Sequence, residues 1–220
     1  GAREYGHDLD GMLSAIKSNT TVVFIANPNN PTGTYVAPDV LLSFIESVPK
    51  GVVVVLDEAY DEYLPDIDKV PSLEWVGRFP NLIVCRTFSK AYGLAGLRVG
   101  YGIAAKEIID LMNRVRQPFN VGSISQLAAI GALSDTDFLT ETAKLNTLGM
   151  EYIVGQLSKK NLSFIPSKAN FVSFQVPDAD KTYHKLLREG VIVRPVGGYG
   201  LKNYLRVSIG LEHENTRFID

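Results

Sequence analysis

Three short segments of the 220-residue sequence collect the residue types from which chemistry is built. Asn27-Pro28-Asn29-Asn30-Pro31-Thr32-Gly33 offers amides in a turn, Asp57-Glu58-Ala59-Tyr60 a carboxylate and a phenol, and Thr87-Phe88-Ser89-Lys90 two hydroxyls and an amine. Each follows an apolar run, residues 21–26, 52–56 and 82–85 respectively. Asp57 ends five apolar residues, where a carboxylate needs a cation or several donors to stay ionised. Glu58, its neighbour along the strand, is expected to point the other way. An ordinary lysine, with a pKa of about 10.4, is a poor nucleophile at neutral pH, yet Lys90 beside an aldehyde can form a Schiff base.

A lysine of that kind paired with an acid on a pyridinium nitrogen is the recurring signature of pyridoxal phosphate sites. Asp57 supplies the acid. Thr87, Ser89 and Arg98 suit a phosphate, as two hydroxyl donors and a guanidinium fork that does not titrate. Taken singly, each of these residues also reads as a turn or strand-end residue; their clustering around Lys90 favours the chemical reading.

The elements that position these segments follow from apolar periodicity. Asn30 and Asp57 lie 27 residues apart, and Asp57 and Lys90 lie 33 apart. Each interval is close to one strand–helix–strand unit of roughly 30 residues, so the three segments should meet at one edge of a sheet, beyond the strands' carboxyl ends. Helical spacing at residues 9–16, 38–48 and 71–76 separates continuous apolar runs, which is the syntax of a mostly parallel sheet covered by helices on both faces. Residues 98–104 follow too short a loop for a parallel crossover and are expected to run antiparallel, making an α/β mixed sheet. Helices are expected at 106–116, 124–133 and 137–159, with a break at Ser134-Asp135. A small α+β unit should follow: strand 171–176, helix 180–188, strand 191–194, a glycine-rich loop at 197–200 and strand 204–209. The expected domains are residues 1–134 and 135–220.

Composition removes several function classes. With 45% hydrophobic residues the chain can bury a core, and Lys+Arg 22 against Asp+Glu 24 leaves no excess charge to recruit nucleic acid or an anionic membrane. The single cysteine, Cys85, excludes an intrachain disulfide and a cysteine-rich zinc site, and His7, His184 and His213 stand at no metal-ligand spacing. No apolar stretch is long enough to cross a bilayer, residues 1–10 do not resemble a signal peptide, and a cytoplasmic location is expected. Residues 52–58 also look like the metal-binding strand of a P-loop ATPase, but the chain has no Gly-Lys pair. Residues 100–105 fit a dinucleotide-binding glycine pattern, but no acid for the ribose stands about 20 residues further on.

The segments at 27–33 (NPNNPTG), 57–60 (DEAY) and 87–101 (TFSKAYGLAGLRVGY), in this order and at these intervals, resemble those of fold-type I pyridoxal-phosphate aminotransferases. Within that superfamily, the doubled asparagine before Pro31, the Pro118-Phe119-Asn120-Val121 segment and residues 190–195 (GVIVRP) look most like histidinol-phosphate aminotransferases. The resemblance implies pyridoxal 5'-phosphate as cofactor, Lys90 as the Schiff-base lysine and Asp57 as partner of the ring nitrogen. It implies Asn30 and Tyr60 at the ring hydroxyl, Thr87, Ser89 and Arg98 at the phosphate, and Arg206 at the acidic group of the substrate, with Arg194 a second candidate there. Arg206, in a strand of the small domain, would come over the site as that domain closes. The implied substrates are L-histidinol phosphate and 2-oxoglutarate, and the implied assembly a homodimer. In the family a further segment, carrying the rest of the phosphate cup, a ring-stacking aromatic residue and an arm to the dimer partner, precedes the counterpart of Gly1. Two other readings stay open: an aromatic or broad-specificity amino acid aminotransferase, and a non-catalytic, ligand-sensing aminotransferase-like module.

Overall fold

The computed structural model describes residues 2–3 and 5–220. A short hairpin, β1 (Ala2–Arg3) with β2 (Gly6–His7), leads into α1 (Leu9–Ser14), which Asp8 caps by accepting the Gly11 N–H. A four-stranded sheet follows: β3 (Val22–Ala26), β4 (Val53–Asp57), β5 (Leu82–Thr87) and β6 (Gly100–Ala104), adjacent in that order. The first three are parallel and β6 is antiparallel to β5, as the short connection requires. The crossovers are α2 (Pro38–Ser47), which starts with proline in its first turn, and α3 (Ser72–Arg78). Their apolar sides bury Leu41, Phe44, Ile45 and Trp75 against Ile25, Val54, Leu56, Leu82 and Val84, with α1 adding Leu9, Met12 and Leu13. Each such fully buried aliphatic side chain stabilises the fold by about 1.5–3 kcal/mol.

On the opposite face the cover is uneven, with Ile83 of β5 buried and the β3 end open. Phe24 on β3 is 70% exposed, and Val22 beside it is also exposed. A continuous apolar run shows that both faces of a strand are hydrophobic; it does not say what lies against each. Two helices, α4 (Lys106–Val115) and α5 (Ser123–Ser134), come next, with Ala129 of α5 packing on Phe88 and Val99.

Helix α6 (Thr136–Lys159) starts at Asp135, whose side chain accepts the Phe138 N–H, so the break read at Ser134-Asp135 is a helix cap. It leads to a second sheet, antiparallel throughout, in the order β7 (Phe164–Ile165), β8 (Phe171–Gln175), β10 (Tyr204–Ser208), β9 (Arg194–Pro195). Alternation along β8 and β10 gives this sheet two functions. Val172, Phe174, Leu205 and Val207 pack with Ile153 and Leu157 of α6, Ala179 of α7 (Ala179–Arg188) and Phe218 of α8 (Glu212–Ile219). Phe171, Ser173, Tyr204 and Arg206 alternate with them; Phe171, Ser173 and Arg206 meet the loops of the first sheet, and Tyr204 meets Tyr5 of the β1–β2 hairpin. The strand expected at 191–194 is reduced to Arg194–Pro195. The Val191 N–H is used by the Leu186 carbonyl at the end of α7, and Ile192 is exposed, so only the last part of the run joins the ladder.

Candidate active site

The three segments singled out in the sequence leave the carboxyl ends of β3, β4 and β5, three neighbouring parallel strands, and they meet. The loop after β3 is held from both sides. Asn27 clamps its two ends, donating to the Val36 carbonyl (3.0 Å) and accepting the Val36 N–H (2.8 Å). The peptide bonds before Pro28 and Pro31 are cis. Gly33 has φ +73°, and a Cβ there would lie 2.0 Å from Ser167 Oγ, so this turn requires glycine twice over. The Gly33 carbonyl accepts the Lys168 N–H (2.8 Å), and Ser173 Oγ, fully buried, donates to the Pro31 carbonyl (2.6 Å).

Asn30, at the tip of that loop, joins two side chains from distant parts of the chain. Its Nδ2 donates to the Tyr60 hydroxyl (3.2 Å), while its Oδ1 accepts from the Arg206 guanidinium. Arg206 therefore stands at the loop in this structure. Tyr60 is 5% exposed. Burial pushes its phenol above 10, against the pull of the Arg206 charge; Asp57 adds to the rise and the Asn30 bond opposes it. The Lys90 Nζ lies 5.5 Å from the centre of the Tyr60 ring. Its loop is anchored by Phe88, packed on Tyr92 and Tyr101 (4.9 and 5.6 Å between ring centres), and turned by Gly93 at φ +71°.

Thr87, Ser89 and Arg98 form a second group beside Lys90. Thr87 Oγ1 accepts the Ser89 N–H (3.1 Å), and Arg98 Nη1 reaches Ser89 Oγ (3.4 Å) and the Ala95 carbonyl (2.8 Å). Arg98 has φ +52°, a left-handed conformation that arginine rarely adopts, so the surrounding turn and not local preference sets the direction of its side chain.

Asp57 corrects one step of the sequence argument. Its carboxylate is exposed and accepts the Ala59 N–H (3.1 Å), with no cation beside it among the described residues. The buried acid that needs a counter-charge is Glu58, which points the other way, as expected, and is 1% exposed. Its Oε2 accepts from Arg86 Nε (2.9 Å) and Ser72 Oγ (2.9 Å), and Arg86 also pairs with Asp61 at 3.2 Å. Burial, and then Asp61, push Glu58 up to about 7 despite Arg86. Glu62, whose two carboxyl oxygens are buried without a hydrogen bond among the described residues, is likewise pushed up to about 7 by burial. This cluster lies behind the site and fastens the start of the 57–63 segment to β5, the strand that leads to Lys90.

Arg194 faces Arg206 directly across the β9–β10 ladder, and the two line an open cavity of about 480 Å³ with Tyr183 and Ser208. Arg194 itself is exposed. Sequence reasoning missed Phe171, Ser173 and the Glu58–Arg86 pair. The signals were present: a serine inside the apolar strand FVSFQ, and a lone arginine ending the apolar run at 82–85. The partners that give them meaning are visible only in the folded chain.

The chain is similar to known proteins over nearly all of its length. The chain is 54% identical over 219 residues to histidinol-phosphate aminotransferase 1 of Dechloromonas aromatica (strain RCB), covering 100% of the chain and 60% of the relative. It is 57% identical over 222 residues to histidinol-phosphate aminotransferase 1 of Cupriavidus pinatubonensis, covering 99% of the chain and 59% of the relative. It therefore spans about 60% of the length of these curated relatives. Among solved structures, the histidinol-phosphate aminotransferase of Sinorhizobium meliloti in complex with pyridoxal-5'-phosphate superposes with a TM-score of 0.92 at 32% identity, over 99% of this chain and 61% of that one. Residues 2–220 match the aminotransferase class I and II family, and the chain belongs to it.

Proposed function

We propose that this chain carries the catalytic lysine and most of the cofactor-holding residues of a pyridoxal-phosphate-dependent aminotransferase acting on L-histidinol phosphate, with 2-oxoglutarate as amino acceptor. The observation that carries the reading is the meeting of Asn30, Tyr60, Lys90 and Arg206, drawn from three strand ends and a second sheet, around one point. The donor set suits the cofactor: an exposed amine, an open carboxylate, a buried phenol, and two hydroxyls with a guanidinium for a phosphate.

When bound, pyridoxal phosphate supplies an aldehyde that captures amines and a ring that accepts electron density from the substrate carbon. Lys90 would tether it and would move a proton to and from the substrate carbon as general base and acid. Asp57 holds a proton on the ring nitrogen. Tyr60, oriented by Asn30, donates toward the ring hydroxyl oxygen, and Thr87, Ser89 and Arg98 hold the phosphate. Arg206, with Arg194 across the ladder, grips the acidic end of either substrate. A planar fork of fixed charge suits both a phosphate monoester and a carboxylate. We place the division between cofactor domain and small domain at residues 134/135, and the working enzyme as a cytoplasmic homodimer.

The test is substrate preference of the full-length protein. With 2-oxoglutarate as acceptor, kcat/KM for L-histidinol phosphate should exceed that for L-phenylalanine. A preference for phenylalanine replaces this reading with an aromatic aminotransferase, and binding of the cofactor without transfer replaces it with a sensing module.

A further inference from the structure

Arg206 is a cation without an anion: among the described residues no carboxylate pairs with it, and its buried Nε makes no hydrogen bond. One amide oxygen, on Asn30, and one aromatic ring hold it. The ring belongs to Phe171, the first residue of β8, which is 2% exposed. Arg206 pairs with Ser173 across the β8–β10 ladder, so Phe171 is its diagonal neighbour on the same face, within reach of a long side chain. The guanidinium carbon stands 4.8 Å from the centre of the Phe171 ring. The same ring meets Tyr60 edge-on, 5.3 Å between centres and 83° between planes. Tyr60 in turn faces Lys90 at 5.5 Å. Two cations thus stand over two touching rings, one on β8 and one in the turn after β4.

We propose that Phe171 is a positioning residue for substrate recognition: its ring holds the Arg206 guanidinium in place while leaving its charge unspent, and ties that placement to Tyr60. A carboxylate at this position would orient Arg206 equally well but would neutralise it, and the arginine would then have little attraction left for an acidic ligand. The negative face of an aromatic ring fixes the cation and leaves its outward N–H groups free to donate. The substrate part of the inference rests on the reading of Arg206 as the group that takes the acidic end.

Progressive fluorination tests it, because it drains the ring's negative face with little change of shape. Full-length protein carrying 4-fluoro-, 3,5-difluoro- or 3,4,5-trifluorophenylalanine at position 171 should bind L-histidinol phosphate progressively less well, by about 3- to 10-fold across the series. Affinity for dephosphorylated L-histidinol and kcat at saturation should stay level. A flat series for histidinol phosphate overturns the proposal. A separate readout needs neither substrate nor cofactor. The Arg206 Nε–H resonance in the wild type should show ring shielding and slow exchange, both lost in Phe171→Leu. If that resonance is the same in the two proteins, Phe171 does not hold Arg206. If the shielding is present but wild type binds histidinol phosphate and histidinol alike, the platform stands and the role assigned to Arg206 in substrate recognition falls.

Discussion

Arg86→Met removes the guanidinium that pairs with the buried Glu58 and Asp61 carboxylates while keeping most of the packing volume of the side chain. Glu58 has a fully buried side chain and Arg86 is only 18% exposed, so this is an interior ion pair. Deleting one partner of such a pair typically costs about 3–5 kcal/mol, because the other charge is left stranded. The cost must depend on pH, and its sign can be worked out. Glu58 rises from 4.5 to about 7 on folding, so the folded state holds its proton more tightly than the unfolded state. Stability is then highest below about pH 4.5 and is lost as pH climbs toward 7, a change of roughly 3 kcal/mol for this group. Without Arg86 the rise is larger still. Near pH 5 Glu58 is neutral in both proteins, and the variant should lose only its hydrogen bonds, about 1–2 kcal/mol. At pH 8, one unit above the wild-type Glu58 value, the loss should grow by up to about 1.4 kcal/mol, to about 2.5–3.5 kcal/mol. Urea midpoints of wild type and variant at pH 5, 6.5 and 8 measure this directly. A difference that does not vary with pH, or a variant more stable at pH 8, refutes the reasoning.

The remaining expectations concern the same scaffold and the site it supports. Glu62→Gln should remove part of the alkaline loss of stability, worth up to about 3 kcal/mol at pH 8 and nothing near pH 4, because Glu62 also rises to about 7 by burial; urea unfolding against pH reads it. Ser173→Ala should destabilise by about 1–3 kcal/mol, since it leaves the buried Pro31 carbonyl without its donor, and should speed hydrogen exchange at residues 29–34; unchanged exchange there contradicts the clamp. Arg206→Ala should weaken binding of L-histidinol phosphate by about 10- to 100-fold, corresponding to a charged hydrogen bond of about 1.5–3 kcal/mol, and Arg206→Lys should recover only part, because an ammonium lacks the fork; equal losses for L-histidinol show that Arg206 does not read the phosphate.

The parts of this molecule legible in its sequence were those that local pattern determines. Strands β3, β4 and β5 stand where continuous β-rich runs placed them, and the short Gly93-containing connection sufficed to predict β6 antiparallel. Asn30, Tyr60 and Lys90 converge because each stands just beyond the end of a parallel strand, a position readable from spacing. What stayed hidden depends on partners. Helix α8 (EHENTRFI) is too polar to show an apolar face, and its first turn is held by Glu214 bonding back to the Leu211 N–H, 2.7 Å. The burial assigned to Asp57 belongs to Glu58, because an apolar run does not reveal which side of its last residue is covered. Phe171 reads as one more core aromatic until Tyr60 and Arg206 arrive on either side of it.

The central claim is that Lys90 is the residue through which this chain holds its cofactor. Borohydride reduction of the full-length protein loaded with pyridoxal phosphate, followed by peptide mass mapping, tests that claim directly. A single pyridoxylated peptide modified at Lys90 is expected, lost in Lys90→Ala while the wild-type thermal transition is retained. Label on any other lysine, or undiminished specific labelling of Lys90→Ala, would contradict it.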